Sequence, residues 1–98
     1  MAKWIAVHKL KKSPEEVAEG FDKLAPGFAK ANESGKNPAK CIYTWNSIPH
    51  ERKDYVFCLW EAKSAKDIET SLGKFLDYLT VDSVKVDEIV WKEVAKGL

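Results

Sequence analysis

Apolar residues in this chain follow two kinds of spacing. Val17, Phe21, Leu24 and Phe28, and again Ile68, Leu72, Phe75 and Leu79, recur at steps of four, three and four, which is one stripe of a helix. Residues 41–45 and 55–60, by contrast, are apolar or aromatic at almost every position. A strand alternates its side chains between two faces, so these runs predict a hairpin that needs cover on both. A chain of 98 residues has helix enough for one face only. A second subunit, a ligand, or both must cover the other.

The remaining signals place the boundaries. Residues 4–10 read as a first strand. Ser13-Pro14-Glu15-Glu16 announces a helix, with Ser13 as cap, Pro14 at the first helical position and Glu16 completing a capping box. Pro26 falls inside the stripe and should kink or split that helix near Ala25, since it lacks a donor and crowds the preceding turn. Residues 32–40 hold Gly35, Asn37 and Pro38 and read as a loop, and residues 47–53 connect the hairpin. Ser64 caps a second helix, with Gly73 its one weak helix former. Residues 84–94 read as a last strand whose alternation slips phase near Asp87, as a bulge would produce.

The order strand-helix-strand-strand-helix-strand predicts a single α+β domain over residues 1–98. It is a ferredoxin-like βαββαβ fold, with a four-stranded antiparallel sheet, the first and third strands central, and both helices on one face. Pairing Asn46 with Asp54 sets Cys41 against Leu59, Tyr43 against Phe57 and Trp45 against Tyr55. Directly paired residues share a face. In this register the open face carries Tyr43, Trp45, Tyr55 and Phe57, joined by Trp4, Ala6, His8 and Leu10 of the first strand. Ile5, Val7, Val56, Cys58 and Trp60 face the helices. Cys41 and Cys58 fall on opposite faces, which argues against a disulfide or a shared metal. An aromatic face of this size marks an interface or a ligand site.

In element order, length and aromatic sheet face, nearly the whole chain resembles the dimeric α/β-barrel superfamily, in which two ferredoxin-like protomers pack sheet against sheet. The resemblance implies a homodimer with a cavity between sheet and helices or between the two sheets. The superfamily includes cofactor-independent monooxygenases, lactone isomerases and haem-degrading enzymes, so the resemblance does not imply one chemistry. Haem-degrading members resemble one another in an Asn on the first strand and a Trp–His pair. This first strand has no Asn, and no cofactor is expected. Residues 53–60 also faintly resemble the third-strand motif of RNA-recognition domains, but Asp54 and Val56 stand where small residues belong.

Charge narrows the partners. Sixteen Lys and Arg against fifteen Asp and Glu give a net charge of about +1, which argues against nucleic acid and against an anionic membrane surface. No apolar run approaches a membrane span. Only Trp4-Ile5-Ala6-Val7 precedes His8 and the lysines, too short for a secretory core, so the expectation is a cytoplasmic protein with reduced thiols. His8 is the one imidazole on a predicted strand, able to serve as a base or ligand contact or simply as a buried interface residue. His50 reads as a solvated loop residue, and the two histidines and two cysteines show no metal-ligand spacing. The expected ligand site groups His8 with Tyr43, Trp45, Tyr55, Phe57 and Trp91, for a small apolar or aromatic molecule on the open face. Nothing in the sequence specifies a reaction.

Overall fold

The computed structural model describes residues 1–98. Strand β1 (Ala2–Lys9) leads to helix α1 (Pro14–Ser34), the hairpin β2 (Lys40–Asn46) and β3 (Tyr55–Ala62), helix α2 (Ala65–Leu72), strand β4 (Asp82–Val86) and a short helix α3 (Trp91–Lys96). The four strands form one antiparallel sheet in the order β2-β3-β1-β4, the ferredoxin-like arrangement. No helix is long and apolar enough to cross a membrane.

Local chemistry sets the helix ends. The Ser13 hydroxyl accepts from the Glu16 amide, capping α1, and donates to the Glu16 carboxylate at 3.0 Å, so the glutamate turns back onto the cap side chain. Helix α1 runs unbroken through Pro26 to Ser34, contrary to the expected split. Phe21 and Phe28, on either side of the proline, both pack edge-on against Phe75 with ring centroids 5.4 Å away, and this packing holds the two halves on one axis. The chain leaves α1 through Gly35 at φ 75°, a left-handed cap. Gly73 also takes a positive φ, 53°, and ends α2, after which Gly73–Asp77 winds as a 3-10 turn. The second apolar stripe is therefore divided, with Ile68 and Leu72 on α2, Phe75 in the 3-10 turn and Leu79 beyond it, bridged to Leu10.

The core lies between the helices and one sheet face. Val17 from α1 and Ile68 and Leu72 from α2 pack against Ala6, Val56, Cys58 and Trp60. Gly20 of α1 is buried beneath the Tyr78 ring, where a Cβ would come within 2.7 Å of the aromatic carbons.

The hairpin pairs Asn46 with Val56 rather than with Asp54, a shift of two residues that leaves Tyr43 and Trp45 on the same face as Phe57. Two further features of the sheet depart from the expected register. First, β1 is in the opposite phase. His8 pairs with Val56, Ala6 with Cys58 and Trp4 with Trp60, so Trp4, Ala6 and His8 face the helices while Ile5 and Val7 face away. The small Ala6 sits beside the largest fully buried side chain, Trp60. Second, a bulge lies between Cys41 and Tyr43. Cys41 pairs with Trp60, Tyr43 with Leu59 and Trp45 with Phe57. The extra residue turns Cys41 to the helix side, so Cys41 and Cys58 share a face rather than opposing each other. The last strand stops at Val86, and Trp91 belongs to α3 rather than to the sheet.

Candidate functional site

A cavity of about 220 Å³ lies between the sheet and the two helices, lined by twelve residues of which ten are hydrophobic. Phe28 and Phe75 form its helix side, and Trp60, Val56 and Cys58 its sheet side. His8 reaches it from the central strand and is fully buried. The His8 Nδ1 atom lies 2.8 Å from the Thr80 carbonyl oxygen. A carbonyl only accepts, so Nδ1 carries the proton, and the Nε2 lone pair is left bare in the neutral ring. Nε2 has no hydrogen-bond partner. Burial pushes the His8 pKa down, with the Thr80 bond working weakly in the opposite direction. The ring is therefore neutral around pH 7. A neutral imidazole with a free lone pair in apolar surroundings accepts a hydrogen bond or a proton from whatever fills the space beside it.

Trp60 supplies a second polar atom. Its indole Nε1–H is buried and has no partner, and it lies near the Cys58 sulfur, whose thiolate form it favours. Thr44 and Cys41 line the side of the cavity toward the edge strand β2, where Thr44 is exposed and Cys41 half-buried.

The open sheet face is a separate surface. Tyr43 and Trp45 are 61% and 50% exposed, with ring centroids 5.9 Å apart. Tyr55 and Phe57 stack at 5.7 Å, and the Arg52 guanidinium covers the Tyr55 ring at 5.5 Å. Leu59 lies in the same face and is buried, while Val84 on β4 is half-exposed. The salt bridge Lys3–Glu88, at 2.9 Å, marks the polar edge of this face.

The six residues expected to form one site thus divide three ways. Tyr43, Trp45, Tyr55 and Phe57 do share the open face. His8 lies on the opposite side of the sheet, in the cavity, because β1 takes the other phase. Trp91 stands 72% exposed on α3, beyond the last strand. Trp60, Cys41, Thr44 and Cys58 join His8 in the cavity and were not among the expected site residues. The signal that points to Trp60 is its place on β3, in alternation with Val56 and Cys58 on the helix side. The bulge that brings in Cys41 has no such signal.

No protein-family model matches the sequence, and no curated protein matches it. Among solved structures, the chain resembles a REP-associated tyrosine transposase bound to a REP hairpin, with a TM-score of 0.56 and 9% sequence identity. That likeness covers 98% of this chain and 61% of the transposase chain. A second likeness is to SnoaB, a cofactor-independent oxygenase from Streptomyces nogalater, with a TM-score of 0.48 and 16% identity over 91% of this chain and 93% of that one. At such identities the likeness extends to the fold alone, and the chain is a small ferredoxin-like α+β domain with its cavity between sheet and helices.

Proposed function

We propose that this chain is a homodimeric small-molecule-binding protein whose ligand occupies the cavity between the sheet and the helices. The observation that carries the reading is the unpartnered Nε2 of His8, a buried acceptor facing apolar space. A buried polar atom without a partner costs roughly 1–3 kcal/mol. A ligand that donates to it recovers that cost, whereas an apolar filler does not. A cavity of roughly 150 Å³ suffices for benzene. One of about 220 Å³ suits a substituted ring or a compact fused pair. The ligand class is therefore a flat, largely apolar molecule with one hydroxyl or N–H.

Calorimetric titration of naphthalene and 2-naphthol into the wild type and a His8→Phe variant tests this. The hydroxyl should gain about tenfold in affinity over naphthalene in the wild type, in line with about 1.4 kcal/mol for one buried hydrogen bond, and nothing in the variant. Equal binding of the two compounds by the wild type would refute the role of His8.

The homodimer rests on the open sheet face, whose aromatic residues are those of the expected ligand site. The radius of gyration is 14.5 Å, against about 12.6 Å for a compact chain of this length. The accessible surface is 6682 Å², against about 5,700 Å² for a compact monomer of this mass. The excess of about 1,000 Å² is comparable with the roughly 800 Å² that one partner buries in a standard interface. The segment after β4 carries apolar side chains that touch little of their own domain: Ile89, Trp91, Val94 and Leu98 are all at least 45% exposed. A second copy packed on the sheet face would cover Tyr43, Trp45 and Phe57 and give that segment a surface to lie on. The resemblance of the sequence to the dimeric α/β-barrel superfamily supports the same arrangement.

A further inference from the structure

The bulge in β2 places a pair of thiols where a regular hairpin would separate them. Cys41 Sγ lies 3.6 Å from the Thr44 hydroxyl oxygen, and the same oxygen lies 3.3 Å from Cys58 Sγ. One hydroxyl thus touches both sulfurs, and both cysteines line the same cavity. Both are free thiols, Cys41 half-buried on an edge strand and Cys58 buried behind it. We propose that Cys41, Thr44 and Cys58 form a peroxide-responsive dithiol site, in which Cys41 is oxidised first and Cys58 resolves it to a cross-strand disulfide. This goes beyond the ligand reading and does not depend on what fills the cavity.

The two sulfurs are unlike in the way such a pair requires. The neighbouring Cys58 thiol draws the Cys41 pKa down to about 7, with Thr44 adding to the effect and burial opposing it. The thiolate is the nucleophile. Cys58 is pushed up, first by the neighbouring Cys41 sulfur, then by burial and by the Cys41 charge. In the first step the Cys41 thiolate attacks one oxygen of hydrogen peroxide. The S–O bond forms, the O–O bond breaks, and hydroxide leaves and takes a proton to become water. Cys41 is then a neutral sulfenic acid, and the charge that held the Cys58 proton is gone. In the second step the Cys58 sulfur attacks the sulfenic sulfur. The S–S bond forms, the S–O bond breaks, and the departing hydroxide takes the Cys58 proton as water. Peroxide is reduced to two waters, and two thiols are oxidised to one disulfide. The Thr44 hydroxyl, in contact with both sulfurs, is placed to pass that proton.

The test exposes the folded wild type to hydrogen peroxide, blocks remaining thiols with N-ethylmaleimide, and reads mass and disulfide-linked peptides. The expected product has lost two hydrogen atoms, takes up no label, joins Cys41 to Cys58 within one chain, and returns to two labelled thiols on reduction. In Cys58→Ser, Cys41 should accumulate as a sulfenic acid captured by dimedone. In Cys41→Ser, oxidation of Cys58 should be slower by roughly tenfold or more, as expected for a buried thiol of raised pKa. Circular dichroism of both variants confirms that they are folded. Cys41 passing to sulfinic acid while Cys58 stays labelled would overturn the proposal. So would disulfides found only between chains, or equal oxidation rates for the two single variants.

Discussion

The His8 ring donates from Nδ1 to the carbonyl oxygen of Thr80 at 2.8 Å, and that one bond decides which nitrogen faces the cavity. It also ties β1 to the chain just before β4, because the Thr80 hydroxyl accepts from the Lys9 amide at 2.9 Å. The opposite ring edge is left as a buried acceptor. The ring's proton affinity is lowered by burial more than the Thr80 bond restores it.

A pH dependence of stability follows. The unfolded chain binds a proton at His8 near the ordinary value of 6.5, and the folded chain resists it. Below that value the unfolded state holds more protons, so stability falls as pH falls and the loss ends only below the depressed folded pKa. Chemical unfolding between about pH 7.5 and pH 5 should show this loss in the wild type and a smaller one in His8→Gln. Cys58, pushed up, titrates above this window, while Cys41, held at about 7, titrates at its upper end in both proteins and cancels in the difference between them.

Gly20 and Tyr78 form a second coupled pair. A Cβ at position 20 meets the ring at 2.7 Å, and the Lys12 ammonium packs on the same ring, 4.7 Å from its centroid. Gly20→Ala should cost about 1–3 kcal/mol by overpacking, despite the better helix propensity of alanine. In a Tyr78→Ala background the same substitution should be neutral or stabilising, and the difference between the two measures the clash.

The open face predicts assembly. Light scattering of the wild type should give twice the 11.1 kDa chain mass. Phe57→Glu places a charge among Trp45, Val7 and Tyr55 and should yield a folded monomer. Truncation after Val86 removes the apolar segment that follows β4 and should weaken the dimer by roughly tenfold or more, since buried aromatic anchors such as Trp91 carry most interface energy. A wild type that runs as a monomer at micromolar concentration contradicts the interface.

Element order was legible in the sequence because it rests on periodicity, and periodicity is a property of many residues together. The Ser13 cap, the hairpin, the central places of β1 and β3 and the aromatic side of β3 are all found as expected. What stayed hidden depends on single residues. In β1 both alternating sets, Trp4-Ala6-His8 and Ile5-Val7, are credible for a buried face, and the observed phase is the one in which Trp4 and His8 find carbonyl partners, at Ala62 and Thr80, which no local pattern announces. In β2 an unbroken apolar run masks the extra residue at the bulge, and that residue alone decides whether the two cysteines meet. Trp91 continues a plausible strand pattern. Yet β4 ends at Val86, where its ladder with β1 ends at Lys3. The sequence consequently points to one open aromatic face, whereas His8, the imidazole expected on it, lies on the other side of the sheet.

The central claim is that the ligand site is the helix-side cavity and not the aromatic face. Nuclear Overhauser contacts between bound 2-naphthol and the protein measure this directly, with the side chains assigned. The account predicts contacts from the naphthol ring to the methyl groups of Val56, Leu72 and Leu79 and to the ring of Phe28, all of which line the cavity, together with a shifted His8 imidazole resonance. Contacts to Tyr43 and Trp45, with His8 unmoved, would contradict it.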